Sequence, residues 1–413
     1  MNSEKCRTLR ISDICTKIVS GGTPSTRNPD YYGGSIPWLK TQEVNFNRIY
    51  ETETKITDAG LNNSSAKWIP ANSVIMAMYG ATAGKIAINK RPITTNQACC
   101  NLTINDKITD YRYVYYNLMS RFQEIASMAV GGAQQNLNAD MIRGLEISLP
   151  PLSIQRRIAD VLSNIDDKIE LNLQTNATLE AIAQAIFKEW FVDFRYPGAT
   201  GEMVDSELGP IPRGWRVGIL SEVLSSIESG SRPKGGVGDL AEGIPSIGAE
   251  NINGLGFYDF SKEKFVSEEF FAKLKSGIVK SEDVLLYKDG ASLGRKTMFM
   301  DGFPHQICAI NEHVFILRSN NLINQLFLYF WLDQSYMTEN IKSLNSNSAQ
   351  PGINQPAVRS LPILIPEKTI SEKFEQIVKP LLSKLFNDCK ESYSLSLLRD
   401  KLLPKLMSGE IQI

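Results

Sequence analysis

The sequence contains few histidines and no cysteines at metal-binding spacing, and these are the residues on which most zinc sites depend. Its two histidines are His305 and His313, with Cys308 between them, and its six cysteines form no CxxC pair. A structural zinc site needs four such ligands at a recognisable spacing, so we expect no bound metal. The scattered cysteines also exclude a disulfide framework, which fits a reducing compartment.

Long apolar runs and a strong net charge are missing as well. No stretch approaches the roughly 20 apolar residues that span a bilayer, and the first ten residues are largely polar, so we expect neither a membrane segment nor a secretory signal. The formal net charge of the 413 residues is −1. This argues against a protein that coats nucleic acid through bulk electrostatics, but it leaves open a sequence-specific reader with local basic loops. It also predicts weak DNA binding by the chain alone, because duplex affinity rests largely on phosphate neutralisation.

Catalytic fingerprints are also lacking. The segment GATAGK at residues 80–85 has too few residues between its glycines for a phosphate loop, and Ile86 stands where a Ser or Thr would hold magnesium. The glycines at residues 235–238 lie in a loop-like Pro/Gly stretch, and Asp259 with Glu263 resembles only half a nuclease motif. We therefore predict no catalytic residue in this chain.

What the sequence does contain is a repeat of itself. Residues 133–149 match residues 349–365 at an offset of 216, and earlier segments match in the same order at slightly smaller offsets. GATAGK at 80–85 returns as GASLGR at 290–295, and IPWLKTQEVN at 36–45 returns as IPSIGAENIN at 244–253. We expect two related modules with an internal pseudo-twofold repeat.

Each module is followed by a long amphipathic helix. The modules combine short alternating strands and Gly/Pro turns with one helical stretch each, at 111–129 and 322–344, which indicates the α+β class. The segments 154–194 and 370–406 carry apolar residues at spacings of three and four, as in a coiled coil. Ser153 and Thr369 are the expected N-caps, and Pro404 is expected to kink the second helix.

We predict that the two helices pair antiparallel as a coiled coil that separates the two globular modules. Asn172 would then face Asp388 at the midpoint, and such a polar layer fixes register at some cost in stability. The alternative is that each helix packs on its own module. The predicted seam residues are Ile158, Ile165, Asn172, Leu179, Phe374, Leu381, Asp388 and Leu395.

Four segments carry a family resemblance. They are LPPLSIQ at 149–155, FKEWFVDF at 187–194, GPIPRGW at 209–215 and LRDKLLPKLMSGEI at 398–411. They resemble, in the same order, the signatures of specificity subunits of type I restriction–modification systems, and the resemblance covers the whole chain. It implies target-recognition domains at 1–150 and 198–366, a central conserved helical region at 151–197 and a C-terminal conserved helical region at 367–413.

The resemblance also implies a function and partners. Each recognition domain would read one half of a bipartite, asymmetric site in double-stranded DNA, while the helices would set the spacer and dock two methyltransferase (modification) subunits. Restriction/translocase subunits would join that core. S-adenosylmethionine, ATP and magnesium would bind to these partners and not to this chain, in the cytoplasm of a bacterium or archaeon. The alternatives are a protein-only scaffold and a divergent DNA methyltransferase or nuclease.

The residue types in the loops suggest where DNA is contacted. Asn and Gln pair with adenine, Lys and Arg with guanine, and Glu accepts from cytosine, while glycine turns allow close approach to a phosphate backbone. Ordinary loop chemistry and tight turns between core strands are the alternatives. The candidates are Thr23, Arg27, Lys40, Thr41, Gln42, Asn45, Tyr79, Thr82 and Lys85 in the first module, and Arg232, Lys234, Glu250, Asn251, Asn253, Lys288, Ser292 and Arg295 in the second.

Four polar residues are shared by the two copies: Gln134 with Gln350, and Asn138 with Asn354. Shared residues are poorer candidates for base specificity than divergent ones, so they serve either phosphate contact or turn structure. The repeat has a further consequence. A fragment ending near Gly201 holds one module and one helix, and we expect two such fragments to pair through their related helices into a twofold dimer.

Overall fold

The computed structural model describes residues 6–129, 136–237, 240–345 and 352–413, and these form two compact units. Unit 1 consists of Met1–Asp167 together with Leu395–Ile413, and unit 2 of Lys168–Ser394. The boundaries cross both long helices. They therefore divide the chain differently from the four segments expected from the sequence, whose limits stay predictions.

Unit 1 alternates short strands with short helices before its long helix begins. Its strands are β1 (Arg7–Arg10), β2 (Cys15–Ser20), β3 (Tyr32–Leu39), β4 (Asn47–Ile49), β5 (Lys55–Ile56), β6 (Val74–Ala77), β7 (Ile86–Asn89), β8 (Thr94–Thr95), β9 (Cys99–Ile104) and β10 (Glu146–Leu149). Its helices are α1 (Ile11–Ile14), α2 (Asp58–Asn62), α3 (Tyr111–Ser120), α4 (Phe122–Ser127), α5 (Ala139–Gly144) and the first part of α6 (Leu152–Phe191).

The strands of unit 1 form a larger and a smaller sheet. The larger has the order β2-β9-β6-β7-β4, with β4 and β7 parallel and its other neighbours antiparallel. The smaller has the order β5-β3-β8. A separate antiparallel pair joins β1 to β10, the strand directly before α6. The core packs Tyr113 and Tyr116 of α3 against Leu162 of α6 and against Leu403 and Leu406 near the end of the sequence.

Unit 2 repeats this arrangement with its own strands and helices. Its strands are β11 (Met203–Val204), β12 (Ile211–Pro212), β13 (Arg216–Ile219), β14 (Leu224–Ser229), β15 (Ile244–Ile247), β16 (Phe265–Val266), β17 (Val284–Tyr287), β18 (Lys296–Met298), β19 (Ala309–Ile310), β20 (Val314–Ser319) and β21 (Pro362–Ile365). Its helices are α7 (Leu220–Val223), α8 (Glu268–Ala272), α9 (Gln325–Asp333), α10 (Ser335–Ser343), α11 (Gln355–Arg359) and most of α12 (Lys368–Ser408).

The sheets of unit 2 follow the order found in unit 1. The four-stranded sheet runs β14-β20-β17-β18, and the three-stranded sheet runs β16-β15-β19. As β1 pairs with β10, so β13 pairs antiparallel with β21, the strand directly before α12. The predicted internal repeat is therefore visible in strand order as well as in sequence.

The helical stretches expected inside the modules are each broken into two helices. In unit 1 α3 ends before Arg121 and α4 follows, and in unit 2 α9 ends before Gln334 and α10 follows. Asp110 caps α3 by accepting from the backbone N–H of Arg112 at 2.9 Å, and Asn324 caps α9 by accepting from that of Phe327 at 2.7 Å. The apolar pattern continues through each break, which is why the sequence alone predicts a single helix.

The prediction that Ser153 and Thr369 cap the long helices is wrong, because both helices begin before these residues. The Pro151 carbonyl already accepts from the backbone N–H groups of Ile154 at 2.8 Å and Gln155 at 3.0 Å. The Glu367 carbonyl does the same for Ile370 at 3.0 Å. Ser153 and Thr369 therefore lie inside the first turn rather than before it. The second helix also continues through Pro404 to Ser408.

Within unit 2 the two long helices meet at a polar layer. The Asn172 side-chain amide donates to the Asp388 carbonyl at 3.4 Å, to Glu391 Oε2 at 2.9 Å and to Ser392 Oγ at 3.2 Å. Lys168 forms an ion pair with the same Glu391 at 3.0 Å. Further along, the rings of Phe187 and Phe374 pack 5.7 Å apart. Residue numbers rise on α6 as they fall on α12, so the segments run antiparallel, with Asn172 beside Asp388.

Within unit 1 the long helices meet through a charged network that the sequence analysis missed. Arg399 Nη1 donates to Asp166 Oδ1 at 2.9 Å, and the Tyr116 hydroxyl donates to Asp166 Oδ2 at 2.6 Å. The Asp166 and Arg399 side chains are only 15% and 17% exposed. The network joins α3, α6 and α12, and Arg48 adds an ion pair with Asp167. Its members come from segments far apart in sequence, so spacing alone does not reveal it.

The predicted seam residues differ in how deeply they are buried. Ile158, Asn172, Phe374 and Asp388 are buried, whereas Ile165, Leu179, Leu381 and Leu395 are only half-buried. Other buried apolar residues of the two helices are Leu162, Val378, Leu382, Leu385 and Phe386. The predicted set contains none of these five, because α6 and α12 bury a broader face than a strict coiled-coil seam.

Replacing the central asparagine tests the polar layer. Asn172→Leu should raise the free energy of unfolding by roughly 1 kcal/mol while loosening the register of the pair. Glu391, the charged acceptor of the Asn172 amide, keeps its ion pair with Lys168 after the substitution. Denaturant unfolding measures the stability, and disulfide trapping between the helices measures the register. Asn164→Leu, an exposed position on the same helix, is the matched control. A less stable Asn172→Leu protein would contradict this prediction.

Candidate nucleic-acid interface

The glycine segments form the same turn in both units. Residues Gly80–Thr82 and Gly290–Ser292 are 3-10 turns that connect β6 to β7 and β17 to β18. Gly80 and Gly290 have φ of +68° and +64°, a left-handed conformation that side chains other than glycine rarely adopt. The turns are thus tight connections between core strands. They expose Gly80, Ala81 and Arg295 to solvent, so a tight turn and close approach to DNA are compatible roles.

The polar loop after β3 lies next to the first glycine turn. Lys85 Nζ donates to Asn45 Oδ1 at 2.8 Å, which joins the two predicted contact segments of unit 1. Glu43 accepts from the Lys40 backbone N–H at 2.9 Å and so closes the intervening turn. Gln42 is exposed. A cation, an amide and a glycine turn therefore share one surface region, a combination suited to contacts with bases and phosphates.

The corresponding loop of unit 2 corrects one candidate. Asn251 takes the place of Glu43 and accepts from the Gly248 backbone N–H at 3.3 Å, and it is 1% exposed. Its side chain is committed to the turn, so it cannot reach a base edge in this conformation. Glu250 forms an ion pair with Lys264 at 2.7 Å, whereas Asn253 is exposed.

Two of the shared polar residues are helix caps. Asn138 Oδ1 accepts from the Met141 backbone N–H at 2.8 Å at the start of α5. Asn354 Oδ1 accepts from the Ala357 backbone N–H at 2.9 Å at the start of α11. Of the two roles left open, turn structure therefore explains why these asparagines recur. Gln134 and Gln350 lie outside the described residues.

The remaining candidates differ in exposure and in partners. Thr23 is half-buried and bonds to Gln97, and Arg232 is paired with Glu312 at 2.7 Å. Lys288 lies 4.8 Å from the centre of the Phe315 ring. The other exposed candidates are Arg27, Tyr79 and Lys234, and the other half-buried ones are Thr41, Thr82 and Ser292.

The described ranges contain neither a cluster of metal-binding side chains nor a membrane-spanning helix. There, no group of three or more His, Cys, Asp or Glu side chains could hold a metal ion. No helix in the same part of the chain is both long enough and apolar enough to cross a bilayer. The histidines pair with carboxylates instead: His313 Nδ1 lies 2.8 Å from Asp289, and His305 contacts Glu263.

A buried charge cluster behind the second glycine turn escaped the sequence analysis. Lys296, directly after Arg295, is 5% exposed and donates to Thr338 Oγ1 at 2.8 Å. Its Nζ lies 3.5 Å from Asp333 Oδ1. Burial lowers the pKa of Lys296, and burial raises the pKa of Asp333 despite that neighbour. The signal in the sequence is that Lys296 occupies the repeat position of Ile86, an apolar strand residue.

Comparison with known proteins decides the family. The family profile described as the type I restriction modification DNA specificity domain matches residues 3–181 and again residues 212–391. The chain belongs to this family. The two matches coincide with the two repeats, each with its recognition module and most of its long helix. The α+β class with paired long helices, predicted from the sequence, is confirmed.

Relatives within the family align over most of their length. The chain is 30% identical to the type I restriction enzyme MjaIX specificity subunit of Methanocaldococcus jannaschii, over 98% of this chain and 93% of that protein. It is 25% identical to the HindI specificity subunit of Haemophilus influenzae, over 75% and 76%. The crystal structure of a type I S subunit from M. genitalium matches with a TM-score of 0.61 at 20% identity, covering 98% and 97% of the two chains. That likeness concerns the fold.

Proposed function

We propose that this family member reads DNA sequence for a type I restriction–modification complex, with each repeat contacting one half of a bipartite, asymmetric site in double-stranded DNA. The observation that carries the proposal is the doubled family match at residues 3–181 and 212–391. Two related but divergent readers in one chain suit a site with two unequal halves. Each unit also exposes a glycine turn beside a polar loop.

In this proposal the chain is a non-catalytic subunit. The paired helices dock two methyltransferase subunits, which bind S-adenosylmethionine, and restriction/translocase subunits join with ATP and magnesium in the cytoplasm of a bacterium or archaeon. The relatives named above are specificity subunits of restriction enzymes, which supports this division of labour. The missing catalytic fingerprints in the sequence support it as well.

Methylation mapping tests the proposal. The complex of this chain with its methyltransferase subunits should methylate DNA at one bipartite site, whereas either component alone should not. Methylation by the chain alone would instead identify a divergent methyltransferase. If the methyltransferase subunits bound and modified the same site without this chain, the chain would be only a protein scaffold.

Single substitutions should separate the two half-sites. Gln42→Ala should relax specificity in one half of the methylated site and Asn253→Ala in the other, because the two side chains are exposed in different repeats. A bidentate amide contact discriminates by about 1–3 kcal/mol. Sequencing of methylated positions gives the consensus for each variant. Gln174→Ala, exposed on α6, is the control and should leave both halves unchanged. Relaxation of the same half by both variants would refute the assignment.

A matched insertion tests whether the helices set the spacer. Seven residues added after Leu173 in α6 and seven after Cys389 in α12 preserve the heptad faces. They lengthen the pair by about 10 Å, roughly three base pairs. The mapped site should keep both half-sites and gain that spacing. Insertion into α6 alone should abolish activity, because it shifts the pairing. An active matched variant with its original spacer would count against this role.

A further inference from the structure

At one position the two repeats have the same backbone geometry but different side chains. The Phe46 backbone N–H donates to the Ile86 carbonyl at 2.8 Å, and the Gly254 N–H donates to the Lys296 carbonyl at 3.0 Å. Phe46 and Gly254 both have positive φ, +54° and +87°. Gly254 is thus the counterpart of Phe46, as Lys296 is the counterpart of Ile86.

In unit 1 this place is filled by apolar side chains. The Phe46 ring packs edge-on against Phe122, with ring centroids 5.0 Å apart, and Ile86 is fully buried. Phe122 also borders Gly84, since a Cβ there would lie 3.5 Å from its ring. Phe46 therefore occupies a left-handed position usually given to glycine, and its ring fills the space behind the glycine turn.

In unit 2 the same place is a cavity. Gly254 has no side chain, and α10 borders Gly294 through Ile341 and Lys342, which would lie 3.5 Å and 3.8 Å from a Cβ there. A cavity of about 380 Å³ opens between the glycine turn and α10. We name it the Lys296 pocket. Its lining includes Ser292, Arg295, Lys296, Asp333, Thr338 and Lys342.

The lining of the Lys296 pocket is cationic. Three of its side chains, Arg295, Lys296 and Lys342, are basic, and Asp333 is its one carboxylate. Lys342 pairs with Glu339 at its exposed end, 2.8 Å away, and Arg295 has no ion pair among the described residues. An ammonium group has three donors. Lys296 directs one to Thr338 at 2.8 Å, and its distance to Asp333 is 3.5 Å.

The buried ammonium is incompletely compensated. Burial lowers the pKa of Lys296, and Lys342 lowers it further. A buried cation requires opposite charge and hydrogen-bond acceptors to remain ionised. Asp333 supplies one carboxylate at a long distance, so an additional anion with several acceptor oxygens would complete the site. Bulk and charge together favour a tetrahedral oxyanion over a planar carboxylate, because a phosphate can accept from Lys296, Ser292 and Arg295 at once.

We propose that the Lys296 pocket of unit 2 binds a phosphate group and that unit 1, whose equivalent space is filled by Phe46, has no such site. This inference rests on the proposed function for its source of phosphate. The favoured source is the DNA backbone, because Ser292 and Arg295 belong to the exposed glycine turn and phosphate contacts position a protein on DNA. Free phosphate offers the same chemistry and is separated by the test.

The repeat supplies the variant for the test. Counted from the caps Asp110 and Asn324, Asp333 corresponds to Met119. Lys296→Ile with Asp333→Met therefore copies the apolar pair of unit 1 into unit 2. It removes one charge of each sign, so the net charge does not change. Lys273→Ile with Glu269→Met is the matched control, since that pair is exposed, forms an ion pair at 2.5 Å and lies in the same unit.

The first arm uses the complex of the full chain with its methyltransferase subunits and a duplex carrying the mapped target. Single phosphates are replaced by neutral methylphosphonates along the second half-site. At one position the wild-type complex and the exposed-pair control should lose about tenfold in affinity, whereas Lys296→Ile/Asp333→Met should lose nothing further there. For the Lys296→Ile/Asp333→Met complex, the slope of log affinity against log salt concentration should also be smaller in magnitude by about one. Identical methylphosphonate profiles for all three complexes would overturn the DNA source.

The second arm uses the full chain without DNA. Inorganic phosphate at matched ionic strength should raise the unfolding midpoint of the wild type and of the exposed-pair control above that of the pocket variant, because ligand binding to the folded state stabilises it. A shift here without a methylphosphonate effect assigns free phosphate as the ligand. No difference in either arm overturns the pocket. If the wild-type complex shows no sequence-specific DNA binding, the proposed function is refuted. The experiment with inorganic phosphate still tests whether the Lys296 pocket binds phosphate.

Discussion

A fragment spanning residues 1–201 with Ala183→Arg is expected to form a tight dimer, at least about 100-fold tighter than the unmodified fragment. In unit 1 the Asp166 carboxylate is held by Arg399 at 2.9 Å and by Tyr116 at 2.6 Å. The fragment lacks Arg399. At the repeat offset of 216 its counterpart is Ala183, so helix α6 of a second copy would leave Asp166 without its cation.

The size of the effect follows from the burial of the ion pair. Removing one partner of a buried pair costs about 3–5 kcal/mol, and a symmetric dimer of the fragment contains the pair twice. Partial exposure of both side chains reduces each contribution, so about 3 kcal/mol in total is a conservative expectation. The similarity of α6 to α12 thus favours pairing between two copies of α6, whereas the loss of the Arg399–Asp166 ion pair opposes it.

Analytical ultracentrifugation over a range of concentrations measures the association. Ala181→Arg is the matched control, because it adds the same charge to an exposed position of the same helix. With methyltransferase subunits, the Ala183→Arg dimer should modify a palindrome built from one half-site. Equal association of the Ala183→Arg and Ala181→Arg fragments would show that the network does not govern pairing.

Lys296→Ile alone is expected to destabilise the full chain strongly, by roughly 3 kcal/mol at pH 8. The substitution leaves the Asp333 carboxylate in a site where burial already raises its pKa. Burial raises the pKa of Glu180 on α6, and the charge of Asp333 raises it further. Without the ammonium of Lys296, the pKa of Asp333 rises further.

The penalty should shrink as the solution is acidified. A carboxyl group with a raised folded-state pKa keeps its proton in the folded chain at a pH where the unfolded chain has released it. Folding is therefore penalised as pH rises from the ordinary value of about 3.9 through the folded-state pKa. Unfolding midpoints at pH 5 and pH 8 measure the difference. Lys296→Ile with Asp333→Met should recover most of the stability and lose this pH dependence. A single-variant penalty that grows on acidification would disprove the account.

The sequence predicts the larger architecture well because repetition and periodicity survive averaging over many residues. The doubled modules, the antiparallel helices and the meeting of Asn172 with Asp388 all follow from collinear matches at an offset of 216. The depth of burial along the seam does not follow in the same way. A helix such as α12 packs on both a partner helix and a module, so Leu382 is buried while Leu381 is half-buried.

The candidate interface was less predictable, for a physical reason that particular residues show. Asn251 has the side chain of a base reader but is used to close its own turn, as Asn138 is used to cap a helix. Residue type indicates hydrogen-bonding capacity, whereas the partner is chosen by the local backbone. A position-by-position comparison of the repeats reveals Lys296, because a lysine takes the repeat position of Ile86, an apolar strand residue.

The composition of unit 1 has a consequence for how the protein is made. Its core includes Leu403 and Leu406, yet its other residues end at Asp167. A ribosome adding about 5–20 residues per second therefore synthesises all of Lys168–Ser394 before those leucines emerge, a delay of roughly 10–50 seconds. Unit 2 is continuous and can complete first, in reverse of the usual N-to-C order. Unit 1 becomes complete only after unit 2 has been synthesised, so a product interrupted just after Ser394 would carry a whole unit 2 beside an unfinished unit 1.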